Sequence, residues 1–143
     1  AKNLGIPSST FSREEFKDTS FLAHLEGADY IILAGFLWLI PDYLVKAFPN
    51  KIINIHPALL PKFGGKGMYG QHVHEAVIAA GEQESGITIH LVNEDYDKGK
   101  ILFQARCDVV PDDTPDTLAK KIHALEYEHF PKVIENYILG WNN

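Results

Sequence analysis

The sequence predicts an α/β fold: an open, mostly parallel sheet with helices on both faces and an antiparallel hairpin towards its C-terminal end. Three observations carry this. Two β-rich runs, Tyr30-Ile31-Ile32-Leu33-Ala34 and Lys51-Ile52-Ile53-Asn54-Ile55, bracket a short helical segment, which is the order of a parallel crossover. Two later runs, Gly86 to Val92 and Ile101 to Val110, are joined by a polar, turn-rich connection. The stretch after Thr114-Pro115 repeats apolar residues at helical spacing.

Each element has its own signal. Ser12-Arg13-Glu14-Glu15 has the Ser-x-x-Glu form of a capping box, in which hydroxyl and carboxylate satisfy each other's orphan N–H groups, and it predicts a helix from Arg13 to Leu25. Gly27-Ala28-Asp29 breaks that pattern before the strand Tyr30 to Ala34, whose continuous apolar character suits burial on both faces. Gly35 ends the strand. Pro41 is placed where a first helical turn tolerates proline, so Pro41 to Phe48 reads as a short helix. After the strand Lys51 to Ile55, the stretch His56 to Gln71 carries too many glycines and prolines for regular structure, and long loops of this kind are usually functional or mobile.

His74 to Ala80 reads as a short helix closed by Gly81. Gly86 to Val92 alternates as a strand does, Ile101 to Val110 is its partner, and Asn93 to Lys100 is the polar connection between them. Thr114 serves as an N-cap with Pro115 at the first helical position, and Leu118, Ile122, Leu125, Val133, Ile134, Tyr137 and Ile138 mark one long amphipathic helix. Pro131 is expected to kink or interrupt it.

With 143 residues, of which 45% are hydrophobic, the chain can bury one core, so residues 1–143 are expected to form a single domain. The net charge of −6 leaves no broad basic surface for nucleic acid or an anionic membrane, and any anionic ligand must be held by a few local groups. The lone Cys107 cannot form an intramolecular disulfide, which points to a cytoplasmic setting. The longest apolar run, Tyr30 to Ile40, is far shorter than a membrane span, and the first residues lack the pattern of a signal peptide. Ala1-Lys2-Asn3-Leu4-Gly5-Ile6-Pro7 reads like the end of an element, so the domain is expected to be N-terminally incomplete.

The most informative stretch for chemistry is Asn54-Ile55-His56-Pro57-Ala58-Leu59-Leu60-Pro61. Ligands of open α/β sheets bind beyond the carboxyl ends of strands, and period-two spacing puts Asn54 and His56 on one side of theirs. A carboxamide donor beside an imidazole can hold an oxyanion. On spacing alone the commoner explanation is that Asn54 caps a turn and His56 packs in the loop. The acidic run Glu94-Asp95-Tyr96-Asp97 can orient a histidine if the fold brings one near; otherwise it is solvated surface. His56, His72, His74 and His90 raise the question of a metal. His72-Val73-His74 lacks helical i,i+4 spacing, no His-Glu-x-x-His is present and no cysteine pair exists, so no metal is expected.

Asn54-x-His56-Pro57-x-Leu59-Leu60-Pro61, followed by Gly86-x-Thr88-x-His90 and then Tyr96-Asp97-x-Gly99, resembles the catalytic signature of the phosphoribosylglycinamide formyltransferases, and the likeness runs over essentially the whole chain. The resemblance implies a Rossmann-like formyltransferase fold. It implies transfer of formyl from 10-formyltetrahydrofolate, a co-substrate, to glycinamide ribonucleotide in purine biosynthesis, without metal, by a monomer or homodimer. Asn54, His56 and Asp97 would be the catalytic trio: the first two stabilise the tetrahedral oxyanion, while Asp97 pairs with His56, holds an ordered water and helps remove the amine proton.

By the same resemblance Leu37, Trp38, Leu39 and Ile40, beyond the strand end Ala34-Gly35-Phe36, would receive the folate together with Asn93, Glu94 and Asp95. Trp38 stands where the family often has arginine, which changes the electrostatics of that pocket. Glu126 would bind the ribose or glycinamide side of the substrate, and Lys62 and Lys66 could reach its phosphate. The family's opening strand, glycine-rich turn and phosphate-holding helix are not in this sequence and are expected to precede Ala1. Three other readings stand beside this one: a formyltetrahydrofolate hydrolase, a methionyl-tRNA formyltransferase, which the acidic composition disfavours, and a non-catalytic folate- or nucleotide-binding module.

Overall fold

The structure, a computed structural model, describes residues 2–94 and 99–140. In chain order the main elements are helix α1 (Arg13–Lys17), a 3-10 segment (Thr19–Leu25), strand β1 (Ile31–Leu33), helix α2 (Asp42–Ala47), strand β2 (Ile52–His56), helix α3 (Gln71–Ala79), strand β3 (Glu84–Leu91), strand β4 (Ile101–Asp108) and helix α4 (Pro115–Ile138).

The α/β class holds, but the described sheet is mixed rather than mostly parallel. Its order is β1-β2-β3-β4, with β1 and β2 parallel and both later pairs antiparallel. The crossover through α2 returns the chain to the start of β2, as a parallel pair requires. The loop after β2 and helix α3 instead deliver the chain beyond the carboxyl end of β2, so β3 runs back along it, with Thr88 opposite His56 and Leu91 opposite Ile53. The C-terminal antiparallel hairpin of β3 and β4 is as expected.

The capping box forms, Glu15 N–H donating to Ser12 Oγ at 3.1 Å and Ser12 N–H to Glu15 Oε2 at 2.6 Å. The helix it starts does not reach Leu25, however. Asp18 is extended (φ −87°, ψ 138°) and its carboxylate accepts from Ser20 N–H at 2.8 Å, so the short polar side chains of Asp18-Thr19-Ser20 offer the backbone a partner that competes with the helix. Pro41 sits one position earlier than expected, as the N-cap of α2. Helix α3 begins at Gln71 rather than His74, because Gly70 takes a positive φ of 57° and turns the chain into it. Helix α4 runs through Pro131 without interruption. The carbonyl that this proline leaves without its helical donor belongs to Tyr127, an exposed residue, where water can satisfy it.

Alternation along the strands separates the two faces of the sheet. Ile53 and Ile55 of β2 and Ile87, Ile89 and Leu91 of β3 join Val73 and Val77 of α3 and Leu118, Ile122 and Phe130 of α4 in the larger apolar cluster. Each fully buried isoleucine there contributes about 2 kcal/mol of hydrophobic stabilisation. Ile52 faces the other way, into a second cluster with Leu33, Leu44, Val45, Phe48, Phe16 and Phe21. The residues of β2 and β3 that share the side of Ile52 beyond this cluster are Asn54, His56, Thr88 and His90.

Candidate active site

Four polar side chains therefore stand together where β2 ends. Antiparallel register sets Asn54 opposite His90 and His56 opposite Thr88. Asn54 Nδ2 lies 3.2 Å from His90 Nε2. His56 is 5% exposed and places Nε2 2.7 Å from the carbonyl oxygen of Phe63. A carbonyl only accepts, so His56 donates from Nε2 and is held at that end of the ring.

The loop of residues 57–70 closes over this face and is tied to it by Thr88. The Thr88 hydroxyl donates to the Ala58 carbonyl at 2.7 Å and accepts from Leu60 N–H at 3.0 Å and from Gln104 Nε2 at 3.0 Å. Gln104 also donates to the Leu60 carbonyl at 3.0 Å. Gly86 completes the fit: a Cβ there would stand 2.7 Å from Leu59 Cδ2 and 1.9 Å from the Ala105 carbonyl oxygen, so Leu59 packs where any side chain at 86 would be. Phe63 has a positive φ of 56°, uncommon for a residue with a side chain, and that turn aims its carbonyl at His56.

The remaining sequence candidates divide. Leu37 and Leu39 are exposed, whereas Ile40 is buried in the second cluster and Trp38 is partly buried against it. The Trp38 ring packs edge-on to Phe36 at 5.7 Å and to Phe11 at 6.2 Å, so it belongs to an aromatic group that also includes Phe16. Asn93 and Glu94 follow β3, while Asp95 and Asp97 lie outside the described residues. Lys62 is engaged by Glu82 at 3.2 Å and Glu126 meets His123 Nδ1 at 3.4 Å, each a surface pairing within the chain. His72 is exposed beside Glu75, whereas His74 is buried in α3, and burial, then the neighbouring His123 and His56, push its pKa below the ordinary histidine value.

The sequence places Thr88 and His90 in the family signature without a role for either, and gives Gln104 and Phe63 no part in the site. The polar alternation of Gly86, Thr88 and His90 against Ile87, Ile89 and Leu91 is the signal that places Thr88 and His90 on the face of Asn54 and His56. Gln104 and the Phe63 carbonyl act through tertiary contact, which no local pattern encodes.

Comparison with known proteins agrees with this architecture. Residues 2–134 match the protein family described as formyl transferase. The chain is 46% identical over 142 residues to a chloroplastic phosphoribosylglycinamide formyltransferase of Arabidopsis thaliana, covering 94% of this chain and 49% of that protein. It is 37% identical over 150 residues to the phosphoribosylglycinamide formyltransferase of Bacillus subtilis, covering 100% of this chain and 74% of that one. A crystal structure of the enzyme of that name from Streptococcus pneumoniae superposes with a TM-score of 0.85 at 34% identity, covering 96% of this chain and 77% of that one. The chain spans about half the length of the plant relatives it matches.

Proposed function

The chain belongs to the formyl transferase family, among the phosphoribosylglycinamide formyltransferases, and from that premise we propose that it forms the acyl-transfer part of an enzyme that moves a formyl group from 10-formyltetrahydrofolate to the amine of glycinamide ribonucleotide. The observation that carries this reading is the placement of Asn54 and His56 on one face at the carboxyl end of β2, beneath an anchored loop. Two such groups suit a reaction in which charge develops on one oxygen.

In this reaction the amine nitrogen bonds to the formyl carbon and the carbonyl pair moves onto oxygen. When the bond from carbon to N10 breaks, the pair returns, and the proton lost by the amine ends on N10. Asn54 offers an Nδ2–H to the developing oxyanion. His56, anchored through Nε2, turns Nδ1 towards the ligand and donates from it when protonated. Asp97 is assigned to take the amine proton through an ordered water, on the strength of its match to the family signature. No metal or covalent enzyme intermediate is invoked.

The exposed Leu37 and Leu39, with the backbone of Trp38 and Ile40 and of Asn93, Glu94 and Asp95, would receive the folate. Lys62 and Glu126 would turn from their present partners to the nucleotide. The charge balance and the lone Cys107 favour a cytoplasmic setting; the plant relatives are named as chloroplastic, and a plastid stroma suits the same chemistry.

The test is formyl transfer by the natural protein at full length, unmodified and as Asp97→Asn, with and without glycinamide ribonucleotide. Nucleotide-dependent turnover that collapses in the variant supports the assignment. Turnover indifferent to nucleotide would identify a hydrolase instead, and folate binding without turnover a binding module.

A further inference from the structure

We propose that His90 is a positioning residue that decides which way the Asn54 carboxamide faces. This inference rests on the formyl-transfer reading for its kinetic consequence, although the geometry stands by itself.

An asparagine carboxamide is nearly symmetrical in shape, and turned over it presents an acceptor in place of a donor. A developing oxyanion requires the donor. Asn54 therefore works only if something distinguishes its two orientations, and the His90 ring does so. His90 Nδ1 lies 3.2 Å from the Leu91 carbonyl oxygen, which can only accept, so that nitrogen carries the proton. In the neutral ring Nε2 is then an acceptor, and the group 3.2 Å from it must be the Asn54 N–H₂ and not its carbonyl oxygen. One Nδ2–H is spent on His90. The second, about 120° away on the same nitrogen, is directed away from that ring and is the one left for a ligand.

The device is rigid. His90 is 1% exposed, one residue before the end of β3, and faces Asn54 in register across the sheet. Asn54 itself is only part-buried and follows Ile53, which has no exposure. The carboxamide thus sits between a fixed imidazole and the open side of the site.

Two measurements test this in the natural protein at full length. The first is the ¹⁵N spectrum of the His90 ring in the unmodified protein near neutral pH. A protonated Nδ1 with a bare Nε2 is expected; a protonated Nε2 overturns the proposal, whether or not the protein transfers formyl groups. The second is a kinetic cycle. Removing or misaiming one oxyanion donor lowers kcat about 100-fold or more, so His90→Leu is expected to lower kcat by about that factor while KM stays within about 3-fold. His90→Gln, whose side-chain carbonyl replaces the Nε2 acceptor, is expected to stay within about 5-fold of the unmodified enzyme. Added to Asn54→Ala, His90→Leu should cost little further. A full additional loss on the Asn54→Ala background, or a His90→Gln enzyme as impaired as His90→Leu, would show that His90 acts through general packing and overturn the proposal. An unmodified enzyme that transfers no formyl would overturn the functional reading instead, leaving the proposal to be decided by the spectrum.

Discussion

The carbonyl of Phe63 accepts a hydrogen bond from His56 Nε2 at 2.7 Å, so a residue seven positions further along holds the imidazole at the end of β2. It does so from a left-handed backbone conformation, φ 56°. The loop therefore does more than cover the site. It engages His56 Nε2 and so leaves Nδ1 as the other nitrogen of the ring, and a residue with a side chain occupies a conformation that ordinarily favours glycine.

That conformation predicts an inverted order of stability. Phe63→Ala and Phe63→Gly both lose the ring that packs against the larger core, but glycine adopts a positive φ without the steric cost of roughly 1 kcal/mol. Urea unfolding is expected to find the glycine variant about 1 kcal/mol more stable than the alanine variant. The usual order, alanine above glycine, would mean that the φ of this turn is not held in solution.

Gly86 gives a second prediction. A methyl group there meets the Ala105 carbonyl at 1.9 Å and Leu59 at 2.7 Å, so β4 and the loop after His56 must both give way. Overpacking of this kind costs about 1–3 kcal/mol. Gly86→Ala should therefore show that loss in urea unfolding, with a fall in kcat because Leu59 follows His56 so closely in the chain. Unchanged stability and unchanged kcat would contradict the close approach.

Most of the elements were legible in the sequence, and the reason differs from one to the next. The apolar alternation of β3 and the capping residues of α1 and α4 are local signals, and each produced its element. Strand direction was less so. Whether β3 runs with or against β2 depends on where the loop of residues 57–70 and α3 deliver the chain, and no local pattern encodes that. The break at Asp18 turned on a side chain competing for a backbone N–H, which the capping box upstream obscured. In the site, Asn54 and His56 were visible as a period-two pair. His90 needed the register of β2 against β3 before it could be matched to Asn54, and Phe63 needed the path of the loop.

The junction of β4 with α4 carries a pH prediction. Asp113 accepts from Lys121 Nζ at 2.6 Å, from Val110 N–H at 2.9 Å and from Thr117 Oγ1 at 2.7 Å. These bonds, the one from Lys121 first, hold its pKa down to about 2 from 3.8. A carboxylate with a depressed folded-state pKa stabilises the fold above its unfolded pKa and loses that contribution as pH falls through the folded value. The unfolding free energies of the unmodified protein and Asp113→Asn should therefore differ by a constant amount above about pH 5 and converge between about pH 4 and 2. A difference that stays constant down to pH 2 would mean that the carboxylate charge is not what the site uses.

Whether Asn54 and His56 hold a developing oxyanion is decided by single-turnover formyl transfer by Asn54→Ala beside the unmodified enzyme. The rate of the chemical step is expected to fall about 100-fold to 1000-fold, with binding of 10-formyltetrahydrofolate and glycinamide ribonucleotide nearly unchanged. An Asn54→Ala enzyme that transfers formyl at the unmodified rate, or one whose loss lies wholly in substrate binding, would contradict it.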